Sequence, residues 1–215
     1  ADLLWTPRIR FGGLLDIPDE NNETKSQAPV MGMAVNLFDP QSPERQILNL
    51  EKALISGRLP VNPGEILVSD ALAKKLKVEN GGVGTLISST MYGSMAMYNF
   101  NIVGTIKFGI IALDRGAVLA DITDVQIALD MNDAASEILG FYPDQLYRKE
   151  ALADIASQFN VENVDENNEF SLTMKTLRDQ NGLDELLDLY DGMLGIFVFV
   201  FVAIMSIVLW NTGLM

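Results

Sequence analysis

Apolar residues fall in two arrangements along this chain. Through the first 160 positions they come as short runs or alternations closed by Gly, Pro, Asn, Asp or Ser, whereas Met193 to Trp210 is 18 residues of almost unbroken apolar side chain. At about 1.5 Å per residue that run makes a helix of about 27 Å, close to the roughly 30 Å hydrocarbon core of a bilayer. It predicts a membrane span within 192–215, a stretch with no charged residue. A buried core helix keeps a polar stripe or runs shorter. Trp210 suits an interfacial ring, and Asn211 and Thr212 follow it where the bilayer becomes wet. Upstream, Leu183, Leu186, Leu187, Tyr190, Leu194 and Phe197 keep the 3/4 spacing of one helical face. The span is therefore expected to continue a stalk helix over 183–191, with a bend allowed at Gly192 and Gly195 because glycine costs about 1 kcal/mol in a helix interior.

The shorter patterns predict alternating strands and helices. Trp5 to Leu15 reads as a strand, Asp16 to Pro29 as a polar loop and Val30 to Phe38 as a buried strand closed by Asp39-Pro40. Ser42 as N-cap and Pro43 at the first helical position open a helix that runs to about Ser56, where Gly57 stops it. Gly64 to Ser69 is a short strand, and Ser69 or Asp70 caps the helix Ala71 to Leu76. Thr85 to Met91 and Met95 to Gly104 form a hairpin through Tyr92-Gly93-Ser94. A strand at Ala117 to Ala120, a helix opened by Asp121 or Thr123, a strand at Ser136 to Tyr142 and a helix from Arg148 to Phe159 complete the series. The mixture predicts an α+β, or mixed α/β, fold.

Composition narrows the function classes. With 48% hydrophobic and 20% charged residues the chain is not a disordered tail, and a formal charge of −14 disfavours nucleic acid as a partner. There is no cysteine and no histidine, which removes disulfides, thiol chemistry, the Ser-His-Asp triad and zinc sites built on those residues. No metal or cofactor is expected. The approach to the span carries Asp184, Glu185, Asp188 and Asp191, with no Lys or Arg after Arg178. By the positive-inside rule that flank lies outside the cytoplasm. The chain opens at Ala1 without a signal peptide, which leads us to expect a piece of a longer membrane protein.

Candidate chemistry is sparse. The hairpin tip carries Met91, Tyr92, Met95 and Met97, read either as ordinary core on one face or as a flexible apolar contact surface of the kind methionines favour. Asp19 to Glu23 and Asp165 to Glu169 repeat the letters DENNE, but without a calcium-loop frame they read as solvated turns. Gly81-Gly82-Val83-Gly84 leads into a strand, not into the helix a phosphate loop requires. Asp114, Asp121 and Asp124 would serve a membrane-anchored hydrolase only if they converged in a cleft; singly they read as a turn charge and caps. A single-pass sensor or receptor ectodomain would account for the one visible span.

Taken in order, Gly57-Arg58, PGEILVSDALAKKLKV from Pro63 to Val78, a glycine-led strand, FNIVGTIKFG from Phe100 to Gly109, LDRGAVLAD from Leu113 to Asp121 and a span ending in NTGLM at Asn211 to Met215 form a recognisable series. Its order and spacing resemble the MacB/FtsX-type permeases of ABC transporters, including the lipoprotein-releasing LolC/LolE branch. The resemblance implies a periplasmic core domain over 1–180 of a bacterial inner-membrane protein. It places a mostly-β subdomain, inserted at about 43–108, in a mixed α/β subdomain. It also implies that ATP is hydrolysed by a separate cytoplasmic ABC ATPase subunit, so that this chain is not itself the enzyme. Implied partners are that ATPase, a second permease copy or related permease, the lipid bilayer, and a periplasmic protein or lipoprotein. Under this resemblance Leu183, Leu186, Leu187 and Tyr190 become the face that couples motion across the membrane. The hairpin matching Ser88 to Tyr98, which in the lipoprotein-releasing branch extends as a docking arm, is here short and proline-free.

Overall fold

The computed structural model describes residues 3–39, 41–165, 168, 171–180 and 182–213. The chain divides into two compact units, Ala1–Gln145 and Leu146–Met215. In order, the first unit holds β1 (Leu4–Pro18), β2 (Thr24–Val35), α1 (Pro43–Ile47), α2 (Leu50–Ala53), β3 (Leu54–Gly57), β4 (Glu65–Ser69), α3 (Asp70–Leu76), β5 (Val83–Ser89) and β6 (Met95–Ile106). It ends with α4 (Ile111–Asp114), β7 (Ala117–Asp121), α5 (Ile122–Ala128) and β8 (Glu137–Phe141). The second holds α6 (Lys149–Asn163) and α7 (Leu183–Gly213). This is the mixed α/β architecture expected, with a long apolar C-terminal helix.

Strand pairing in the first unit closes on itself. β1 pairs antiparallel with β2, β2 parallel with β7, β7 antiparallel with β4, β4 parallel with β6, β6 antiparallel with β5, and β5 antiparallel with β1 again. Two further strands lie outside this ring: β3 takes the edge of β6 at Gly104–Ile106 beyond the reach of β5, and β8 pairs with the first residues of β1, Leu4 to Arg8. The segment 43–108, which the resemblance sets apart as an inserted subdomain, supplies β3 to β6 of this sheet.

The ring explains why some strands alternate and others do not. In β1, Ile9, Phe11, Leu15 and Ile17 are buried while Arg10, Gly12 and Leu14 are exposed, the period-2 pattern of a strand with one wet face. β4 and β7 are buried at every position. Ile66, Val68, Val118 and Ala120 join the core that holds Leu15, Phe100 and Ile102, while Leu67 and Leu119 join a second core with Val35, Leu37, Leu50 and Ile106. Strands covered on both faces read as continuous apolar runs. Cross-strand glycines receive aromatic rings: Phe11 lies over its partner Gly32 and Trp5 over its partner Gly140, and a Cβ on Gly32 would come 2.0 Å from the Phe11 ring.

Three local expectations need correction. The 16–29 loop shrinks to a turn at Asp19–Glu23, where the Asp19 carboxylate accepts from the backbone N–H of Asn21 and Glu23; the flanks extend β1 and β2, with Ala28 and Val30 facing the core. The helix expected over 42–56 is broken at Asn49, which takes a left-handed conformation, and its last residues become β3 because pairing with β6 satisfies their backbone. The Ser42 cap is as expected, with Oγ accepting from Glu44 N. Third, the four hairpin residues are not core: Met91, Tyr92, Met95 and Met97 are 59 to 76% exposed. The second DENNE, at 165–169, lies largely outside the described residues, as do the last two of NTGLM.

Candidate functional site

The hairpin strand β6 presents Met95 and Met97 on the outer face of the ring, while Ala96 and Phe100 face the core. Register places Pro29, Leu14, Ile87 and Met97 side by side on four successive strands, β2, β1, β5 and β6. The adjacent row, Ala28, Leu15 and Leu86, faces the core, so alternation turns the first row outward. Beyond it, Thr85 Oγ1 donates to Asn99 Oδ1 in a polar row that also holds Asp16 and Gln27. An open groove of about 480 Å³ runs between Gly12-Gly13 of β1 and Ser88, Ser89, Gly93 and Met95 of the hairpin. The sequence pointed to the methionines; Leu14, Pro29 and the two glycines join them only through register.

In the second unit, α7 runs unbroken through Gly192 and Gly195. Leu183 to Trp210 is long and apolar enough to cross a membrane, and none of its most apolar window is buried. Of the proposed coupling residues, Leu183 is half-buried, Leu187 is 36% exposed, and Leu186 and Tyr190 are each 63% exposed. What fastens the base of the helix is polar. Arg178 Nε lies 2.6 Å from Asp184 Oδ1, a charge contact without hydrogen-bond alignment, and Nη2 donates to Asp188 Oδ1 at 3.2 Å. Sequence reading noted Arg178 as the last basic residue and missed this role.

The carboxylates offered for hydrolysis do not converge as free groups. Asp114 accepts from the N–H of Phe108 and Gly109; Asp121 accepts from Leu37 N, Phe38 N, Thr123 N and Thr123 Oγ1; Asp124 accepts from Gly64 N at 2.8 Å. Each pins backbone. Burial raises the Asp124 carboxyl above its ordinary value, the Gly64 N–H opposes this, and the charges of Asp121 and Glu65 add to it. Glu65 moves the other way. Arg58 donates to it at 2.6 Å and, with the Asn62 side chain and the N–H groups of Val61 and Asn62, holds its carboxyl well below the usual range against the effect of burial. A second, more deeply buried pair joins Arg8 to Glu44 by two parallel hydrogen bonds of 2.8 and 2.7 Å. Among the described residues no group of three metal-ligating side chains comes together.

No protein-family model and no curated protein matches the sequence. Among solved structures, the periplasmic region of MacB from Actinobacillus actinomycetemcomitans matches with a TM-score of 0.50, covering 86% of this chain and 75% of that chain at 12% identity. The fold is that of the MacB periplasmic region. With so little identity the likeness lies in architecture, and it is followed here by a helix with the length and composition of a membrane span.

Proposed function

We propose that this chain is the periplasmic domain and following membrane helix of an ABC-transporter permease, which passes the motion of a cytoplasmic ATPase to a domain outside the membrane. The observation that carries this reading is the succession of a MacB-type periplasmic fold and a 28-residue helix, Leu183 to Trp210, whose most apolar 18-residue window is unburied. The acidic approach to the span agrees with a periplasmic placement of residues 1 to about 190 in a bacterial inner membrane. In this reading a second permease copy, or a related one, pairs with the chain. The exposed hairpin with its methionines is the surface offered to a periplasmic protein or lipoprotein. Transport needs no cofactor in this chain, since ATP is handled by the partner.

Purification of the natural full-length protein from detergent, with mass spectrometry of what accompanies it, tests the assignment. A cytoplasmic ABC ATPase in stoichiometric amount is expected; a signalling partner without an ATPase would replace the reading with a sensor ectodomain. Within the transporter, Leu186→Asp with Leu187→Asp is expected to uncouple transport while leaving membrane insertion intact, and normal transport by that double variant would remove the apolar stripe from the mechanism.

A further inference from the structure

We infer that Arg178 is the positioning residue that fixes the base of α7 to the rest of its unit, so that motion of the helix reaches α6 through a polar clasp; this rests on the permease reading above. Three connections lie in series. On α6, Asn160 Oδ1 accepts from Met174 N at 2.7 Å and Nδ2 donates to Met174 O at 2.9 Å, so one side-chain amide holds both backbone groups of one residue, as a neighbouring strand would. Two residues on, Asp179 Oδ2 accepts from Thr176 N and Thr176 Oγ1 at 2.9 and 2.7 Å, closing the turn that carries Arg178. The guanidinium then meets Asp184 and Asp188, while the Arg178 carbonyl accepts from Asp184 N at 3.0 Å in the first turn of α7.

The arrangement is not one that helix stability alone would select. A cation beside a helix N-terminus opposes the macrodipole, so Arg178 is favourable there only through the two carboxylates. These are four residues apart and share one helical face, and a planar guanidinium spans them as a lysine ammonium would not. The Arg178 side chain is 16% exposed, against 50 and 71% for its partners, so the cation is the sheltered member. Leu186, Leu189 and Tyr190 are each 63% exposed, so among the described residues the clasp acts at the helix base beside the half-buried Leu183 and Leu187, which is 36% exposed. A shift of α7 therefore pulls on Asp184 and Asp188, on Arg178, on the Thr176–Asp179 turn, and through Met174 on Asn160.

The test uses the full-length permease with its ATPase in proteoliposomes, read by hydrogen exchange, first at rest and then trapped with ATP and vanadate. In Arg178→Gln, amides 183–188 are expected to exchange about three- to tenfold faster at rest. Trapping should alter exchange at 155–163 of α6 in the wild type and leave it unaltered in this variant, while ATP turnover persists. The charge-swapped chain, Arg178→Asp with Asp184→Arg and Asp188→Arg, restores both signals, which separates a lost clasp from a misfolded unit. Unchanged exchange at 183–188 in Arg178→Gln, a trapping response that survives it, or a swap that restores neither signal overturns the inference. A wild type that binds no ATPase and shows no response to trapping overturns the permease reading, and the coupling role with it.

Discussion

β4 and α7 are both apolar stretches, and they are covered by different things. Ile66, Leu67 and Val68 are 0% exposed, enclosed on one face by the ring interior and on the other by the core built around Leu50, Ile106 and Leu119. In α7 the residues from Ile196 to Phe201 are 47 to 73% exposed. Removal from water favours both, at about 25 cal/mol per Å² of apolar surface, but β4 achieves it by folding, whereas α7 has the length and composition to achieve it in an apolar solvent. Hydrophobicity therefore says that a segment leaves water; length and periodicity say what covers it.

The sharpest way to break this comparison is to put an unpaired charge where protein does the covering. Glu44 is fully buried, and its two hydrogen bonds come from Arg8, whose side chain is 12% exposed. Arg8→Leu keeps the packing of the stem and leaves the carboxylate alone; breaking a buried pair in this way costs about 3–5 kcal/mol. Urea unfolding of the detergent-solubilised chain measures it. A loss below about 1 kcal/mol would mean that water reaches Glu44, and that α1 does not seal the side of the sheet.

The matching substitution in α7, where lipid would do the covering under the proposed reading, is Val202→Arg, at the middle of the apolar run. On insertion scales a central arginine costs about 2.5–3.5 kcal/mol. Resistance to alkaline extraction from membranes is expected to fall, while the unfolding midpoint of the 1–145 unit stays where it was. If extraction is unchanged and that unit is destabilised instead, α7 is covered by protein and the contrast with β4 disappears.

How much of this was legible in sequence follows from the distance between cause and effect. β4 and α3 were readable because their signals are local: Gly64 before the strand, and Ser69 whose Oγ accepts from Leu72 N. α7 was readable because its signal is a contiguous apolar run of the length a membrane span requires. Ring closure was not, since it depends on parallel pairings of β2 with β7 and of β4 with β6, in which neither strand carries a mark of its partner. Nor was the break at Asn49, where pairing of Leu54–Gly57 with β6 outweighs helix propensity. Of the candidate site, the methionine hairpin was visible, but its exposure was not, because period-2 alternation leaves open which face is the core. Arg8–Glu44 and Asn160–Met174 join residues 36 and 14 positions apart, beyond any local pattern.

The smallest expected effect separates the two regions by pH. Residues 192–215 carry no titratable side chain, so the span should contribute no pH dependence, whereas Glu65 and Asp124 contribute with opposite sign. The folded chain holds Glu65 below its ordinary 4.5, so its stabilisation is complete above that value. As pH falls further the unfolded chain binds the proton first and the stabilisation drains away, until the folded carboxyl is protonated too. Asp124 is raised above its ordinary 3.8, so the folded chain retains a proton the unfolded chain has lost, and a cost appears as pH rises through that value. Unfolding midpoints measured from about pH 6 to pH 3 should therefore fall less steeply below 4.5 in Glu65→Gln than in the wild type. Asp124→Asn keeps an acceptor for Gly64 N and should raise the midpoint near pH 6 by the equivalent of less than about 1 kcal/mol. An acid slope that Glu65→Gln leaves unchanged would mean that Arg58, half exposed at the other end of the pair, is screened by water, and that the acid sensitivity of the ring lies with other carboxylates.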